Sequence, residues 1–239
     1  MTTSYTEKVL RIRDTALVAY WPLNENSGTT AWDWSNNAYN GTSSNVVPAD
    51  KTLYGGDGGP CYYFNGTSSY VNIYAALAGA ITTVGTGSIW FACENNYLDG
   101  TTLGRIFTMG ADANNVLLIE KTATANTMRL AYIAGSTTKS VSPVIYKEGL
   151  SAVGREWHHL AMTLSVSSDA FKIYVDGAQS GSTQTSLGTW SGAVASTLFC
   201  IGAGATTPSN VFKGWLQHMA LWSVALSADE IADLAKIGP

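Results

Sequence analysis

Apolar and polar positions trade places at short intervals along most of this chain. The runs PCYYFNG, SYVNI, GSIWFACE, RIFTMG, NVLLIEK, MRLAYIAG, WHHLAMTLS, FKIYVDG, STLFCIGA and GWLQHMALW each read as a strand, with turn-forming residues between them. ALVAYWPL reads as an earlier strand interrupted at Pro22, with Trp21 and Leu23 on one side of the extended segment. Residues 24–42 are polar and read as a long structured loop. In YVDG, Asp176 and Gly177 tolerate the positive φ of a tight turn and signal a hairpin. Many short strands at short spacing predict a two-sheet sandwich, not alternating strand and helix units.

Two segments change period. SYTEKVLRIRD places Glu7 three residues after Ser4, the spacing of a capping box, with Val9, Leu10 and Ile12 on part of one face. SADEIADLAKIG repeats that spacing with Ser227 and Glu230 and sets Ile231, Leu234 and Ala235 on one face before Gly238 and Pro239 stop it. A short helix is expected at each end, the second near residues 228–236, packing as a terminal lid on the sandwich. Without a long linker or a repeat, the chain divides into an N-terminal helical extension, residues 1–16, and one domain, residues 17–239.

Composition narrows the partners. Only 13% of residues are charged and the 13 Lys and Arg are spread along the chain, so no basic stripe offers a nucleic acid a footprint. Cys61, Cys93 and Cys200 each sit in an apolar run and read as small buried side chains rather than metal ligands. No apolar run is long enough to span a bilayer, so membrane insertion is not expected. The start lacks a basic region followed by an unbroken apolar one, so the expectation is synthesis in the cytoplasm without a signal peptide. The adjacent His158 and His159 look like a metal or acid–base pair, but alternation points them to opposite faces of a strand. Packing and hydrogen bonding is the simpler reading.

The segments LVAYWPLNENSGTTAWDWSNNAYNGT, YYFNGTSSYVNI, REWHHLAMTL, FKIYVDGA and FKGWLQHMALWSVALSADEIADL occur in an order that resembles laminin-G-like domains of the concanavalin A-like lectin and glucanase superfamily. The likeness runs from about Leu17 to Leu234 and implies an all-β jelly-roll sandwich of two antiparallel sheets with short terminal helices. Members of that family bind sugars, contact proteins or serve as structural modules, and some hold calcium. The resemblance therefore implies a candidate calcium set of Asp33, Asn36, Asn37, Gly41 and Gln217, although Gln217 and His218 stand where the family commonly has acidic residues. An Asx-rich turn held by its own hydrogen bonds is the plainer reading of the same loop, and no other cofactor is implied. AWDWSNN carries two indoles around Asp33, and in extended backbone Trp32 and Trp34 share a face. Core closure, protein contact and sugar stacking are the three uses open to them.

Glycoside cleavage needs two carboxyl groups flanking the bond, which related glucanases supply from alternate positions of one strand. No Glu-x-Asp-x-x-Glu pattern occurs, and no cysteine or glycine-rich signature suggests other catalysis, so the chain is expected to be no enzyme. The chain reads as a whole protein, and its beginning is similar to modules in phage structural proteins. The leading expectation is a virion-surface or tail protein that contacts itself or a capsid or tail partner, with glycan or host-surface affinity as an addition. A free carbohydrate-binding lectin is the alternative, and a hydrolase is a distant third. Trp32, Trp34 and Trp190 lie in polar, turn-rich sequence and are the contact candidates, whereas Trp21, Trp90, Trp157, Trp215 and Trp222 are assigned to packing.

Overall fold

Extended backbone throws successive side chains to opposite faces, so a run that alternates apolar with polar residues can bury one face and hydrate the other. The computed structural model describes residues 4–50, 57–74, 81–94, 102–145 and 156–236, and each run read above as a strand forms one. Numbered in chain order, the first sheet holds β1 (Leu17–Trp21), β4 (Tyr62–Asn65), β6 (Val84–Cys93), β11 (His158–Ser165), β12 (Ala170–Val175), β13 (Ala178–Gln179) and β15 (Lys213–Trp222). The second runs β10 (Thr137–Val141), β9 (Met128–Ala134), β8 (Asn115–Lys121), β7 (Gly104–Asp112), β14 (Phe199–Ile201), β5 (Tyr70–Asn72), β3 (Gly41–Ser44) and β2 (Thr30–Ala31). All of these strand pairs are antiparallel, as the sandwich reading requires. The strands that the pattern missed, β2, β3, β10 and β13, are short and polar and carry little apolar alternation.

Between the sheets lies one core that includes Trp21, Phe64, Phe91, Phe107, Tyr132 and Phe171, all fully buried. At roughly 1.5–3 kcal/mol for each large apolar side chain removed from water, this layer dominates the favourable side of folding. A second apolar layer covers the outer face of the first sheet. Helix α1 (Tyr5–Arg11) and helix α2 (Ala228–Leu234) bury Tyr5, Val9, Ile231 and Leu234 against Tyr20, Trp90, Tyr174 and Trp222. Both capping boxes form, Ser4 with Glu7 and Ser227 with Glu230. The end signals at Gly238 and Pro239 lie outside the described residues.

The helices also hold each other. The Tyr5 hydroxyl donates to the Leu234 carbonyl at 2.9 Å and accepts from the Trp90 indole N–H at 2.9 Å. Lys8 Nζ donates to the carbonyls of Asp233 and Lys236, placing a cation at the C-terminus of α2, whose last turn carries no basic residue of its own. The segment read as an N-terminal extension is thus half of a two-helix lid.

Strand β15 is central although it comes late in the chain. One of its edges pairs with β6, while the other is shared, β4 taking Lys213–Leu216 and β1 taking Met219–Trp222. Between the two shares the register slips and His218 adopts φ 55, its amide donating to the Pro22 carbonyl at 3.0 Å. The bulge breaks the simple alternation expected of GWLQHMALW. Leu216 and Met219 enter the central core, and the consecutive Gln217 and His218 side chains converge on Asp57.

Candidate functional site

The loop between β1 and β3 is organised by one carboxylate. Asp33 Oδ1 accepts from the amides of Tyr20 at 2.8 Å and Ser35 at 2.9 Å, and Oδ2 accepts from the Ser35 hydroxyl and the Tyr39 amide, both at 2.8 Å. Its own amide donates to Asn40 Oδ1 at 2.9 Å, and the Trp34 amide donates to the Tyr20 carbonyl at 2.8 Å. An Asx side chain that satisfies several backbone donors fixes a loop without regular structure. Exposure alternates along it, with Ala31 and Asp33 buried and Trp32 and Trp34 exposed at 53% and 49%. Core closure is therefore ruled out for both indoles. They stand in solvent on a braced loop.

The other candidates separate from this pair. Trp190 packs against the core, stacked on Tyr132 at 6.1 Å between ring centroids, and its indole N–H donates to the Gly192 carbonyl. Asn115 Oδ1 accepts from the Ser191 and Gly135 amides and ties that polar, turn-rich segment down onto the sheet, which sets the partly buried Trp190 apart from the two exposed indoles. Trp21, Trp90, Trp215 and Trp222 are buried and Trp157 packs partly buried beside them, as assigned.

The calcium set is not gathered as ligands. Both Asp33 oxygens receive N–H and O–H donors where a hard cation would need lone pairs, and Asn37 turns its amide nitrogen to the Leu17 and Val18 carbonyls. Gly41 lies within β3, where an added Cβ would stand 2.8 Å from Val71 Cγ1. The Gln217 amide nitrogen donates to Asp57 Oδ1 and the Pro60 carbonyl, and Asn36 is exposed. The donor set does not fit calcium. The geometry is that of the self-bonded Asx turn, and among the described residues no group of three or more His, Cys, Asp or Glu is placed to hold a metal ion.

Beside the indole loop lies a feature that the sequence reading missed. An open cleft of about 360 Å³ is lined by Asn40, Thr42, Ser44, Tyr70, Asn72 and Tyr74. Tyr70, Asn72 and Tyr74 share a face by strand alternation, and Thr30, Thr42 and Asn72 stand opposite one another across β2, β3 and β5. Asn40 joins cleft and loop, since it lines the one and accepts the Asp33 amide of the other. The alternation of SYVNI around its buried Val71 was the available signal, but polar residues on one short strand do not reveal which strands lie next to it.

Each of the three histidines has a structural partner. His218 accepts or donates at both ring nitrogens, to Tyr20 Oη at 2.7 Å and Asp57 Oδ2 at 3.2 Å, under the Tyr5 ring. Burial pushes the His218 pKa down while Asp57 pulls it up, and the same contact carries the Asp57 carboxyl well below its ordinary range against the opposing effect of burial. His159 is fully buried with Nε2 2.7 Å from Ser88 Oγ, and burial pushes its pKa down to about 3. His158 meets Asp176 at 2.8 Å, so the two histidines do use different environments. Glu94 accepts from the Tyr63 hydroxyl and faces Lys213. These carboxylates and imidazoles brace the sheet and its lid. Among the described residues they are not arrayed about a cleft as an acid–base pair would be.

Solved structures match the fold. The receptor-binding domain of botulinum neurotoxin C/D mosaic serotype aligns with TM-score 0.66 and 15% identity over 93% of this chain and 51% of its own. The ligand-binding domain of botulinum neurotoxin serotype D in complex with N-acetylneuraminic acid gives 0.65 and 16% over 95% and 52%. Domain 4 of AbnA, an extracellular arabinanase of Geobacillus stearothermophilus in complex with arabinotriose, gives 0.64 and 19% over 92% and 98%. The chain spans about half the length of the toxin domains and nearly all of the arabinanase domain. No curated protein sequence matches it. Residues 64–232, from β4 into α2, match a laminin-G-like family, and with two antiparallel sheets in place the chain belongs to the concanavalin A-like lectin/glucanases superfamily.

Proposed function

We propose that the protein is a carbohydrate-binding module that stacks sugar rings on Trp32 and Trp34 and seats the adjoining residues of the chain in the Tyr70–Tyr74 cleft. The observation that carries this reading is the pair of half-exposed indoles on a loop whose backbone the Asp33 carboxylate holds in place. An aromatic face packs against the C–H face of a pyranose or furanose, and fixing the backbone that carries it before binding lowers the entropic cost of the contact. The hydroxyl and amide groups of Thr42, Ser44 and Asn72 are hydrogen-bonding partners for sugar hydroxyls. Among the described residues no cation or carboxylate lines the cleft, which favours neutral glycans there. The sugars named for two of the fold neighbours, arabinotriose and N-acetylneuraminic acid, support carbohydrate as the ligand class without specifying the sugar.

The virion-surface role expected from the sequence draws support only from exposed aromatics, and a glycan uses those equally well. The lectin alternative is the better reading, with self-assembly as a competing use of the same indoles. Titration of oligosaccharides, arabinotriose and linear neutral glucans among them, followed by tryptophan fluorescence, tests it. Saturable quenching that W32A or W34A weakens tenfold or more is expected. Concentration-dependent dimerisation that is lost in W34A, with no response to any sugar, would overturn the carbohydrate reading in favour of protein contact.

A further inference from the structure

A charged rung crosses the outer face of the second sheet well away from the indole loop in sequence. Glu120 on β8 stands in register with Arg105 on β7 and Arg129 on β9, its oxygens 2.5 Å and 2.7 Å from their Nε atoms. Its side chain is 2% exposed, whereas the flanking guanidinium side chains are 19% and 33% exposed. On the same face the next rungs turn apolar, through Thr108 and Leu118 to Val116 and Ile133. These residues line a pocket of about 250 Å³ whose opposite wall is the segment carrying Ser209 and Asn210. The Arg105 amide donates to the Asn210 carbonyl at 2.6 Å and pins that wall.

We propose that this pocket is a second ligand site, for a single carboxylate carried on a body about one ring wide. The rung carries two positive charges and one negative, and the carboxylate on the pocket wall, Asp112, lies seven residues from Arg105 along β7 with its Oδ1 taken by the Asn114 amide and the Asn115 side chain. Each Nε is turned to one oxygen of Glu120, and neither guanidinium has a second acceptor among the described residues, which leaves the Nη donors for a ligand. Guanidinium donors in a fixed planar fork match a carboxylate and hold it more specifically than a lysine would. Burial lowers the Arg105 pKa, with Arg129 adding to that effect and Glu120 opposing it, and an incoming anion would relieve the repulsion between the two cations. Leu118, Val116 and Ile133 give the body of the ligand an apolar floor, which neither a bare ion nor an extended polyanion would use. A sugar acid and an aromatic acid share this chemistry.

The test is heteronuclear NMR titration of the full chain with sodium glucuronate, sodium benzoate and, as the neutral control, methyl glucoside. Saturable shifts around β7, β8 and β9 with at least one carboxylate, absent with methyl glucoside and weakened by added salt, are expected. Glucuronate alone identifies a sugar acid, benzoate alone an aromatic acid, and either supports the site. R129Q should weaken binding at least tenfold, and R129K, which keeps the ion pair but loses the fork, should weaken it measurably. W34A should leave it unchanged, so failure of the indole site and failure of this one are distinguishable. Absence of binding by both carboxylates, equal binding in R129K and wild type, or loss of binding in W34A would overturn the proposal.

Discussion

Asp33 shows how much one side chain can decide. Its two oxygens satisfy donors from Tyr20, Ser35 and Tyr39, and replacing it strands amide groups that the fold has already withdrawn from water. D33A is expected to cost on the order of 3 kcal/mol, read as a lowered urea midpoint, because each buried donor left alone costs about 1–3 kcal/mol. D33N should recover little of this, since its amide nitrogen would face donors. His159 makes a second prediction at this scale. Its folded pKa of about 3 lies below the ordinary value of 6.5, so the unfolded chain binds the proton first. Its contribution is complete above pH 6.5 and is lost as pH falls from there toward 3, at up to about 1.4 kcal/mol per pH unit. The depressed His218 pKa acts in the same direction. Urea unfolding at pH 8 and pH 5 should show this loss, and H159Q should flatten the slope.

At the scale of elements, the lid depends on a tyrosine shared between two helices. Y5F removes the acceptor of the Trp90 indole N–H and the donor to the Leu234 carbonyl while leaving the ring packed. A loss of about 1–3 kcal/mol is expected, with faster hydrogen exchange at the Ala235 amide of the α2 cap. S227A removes the side chain that accepts the Glu230 amide and should cost about 1 kcal/mol, with the same amide exchanging faster. Both capping boxes could be seen in the sequence because their partners are three residues apart. The docking of α1 on α2 could not, since Tyr5 and Leu234 sit at opposite ends of the chain and meet only once the sheet beneath them has formed.

For the molecule as a whole, the decisive strand comes late. β15 pairs with β1, β4 and β6, so the first sheet cannot be completed until residues 213–222 are in place. Such distant pairings make folding slow and globally cooperative. A chain ending at residue 212 should not reach a folded state, and circular dichroism with soluble yield would show it. The three thiols offer an internal reporter. Cys61, Cys93 and Cys200 are buried and unbridged, and burial pushes the Cys61 and Cys200 pKa values up to about 12, which suppresses the reactive thiolate. Ellman titration should find them silent in the folded protein and fully reactive in denaturant, with the rate between those limits following global opening.

What the sequence determined by itself was local or periodic. Alternation in SYVNI, HHLAMTL and KIYVDG follows from the two-residue repeat of extended backbone, and the Ser4 and Ser227 boxes follow from the helical turn, so these elements and the two-sheet class could be read directly. The self-bonded Asx turn was legible for the same reason, because Asp33 and its partners Ser35 and Tyr39 are near neighbours. Tertiary structure alone decided which aromatics remained in water: Trp34 and Trp190 both lie in polar sequence, yet only Trp190 meets a Tyr132 brought to it from another strand. It alone placed Tyr70 and Asn72 beside Thr42, and Arg105 and Arg129 on either side of Glu120, since cross-strand register joins residues that no local period relates. A ligand surface on a sheet is made of such neighbours, and they exist only after the strands have paired.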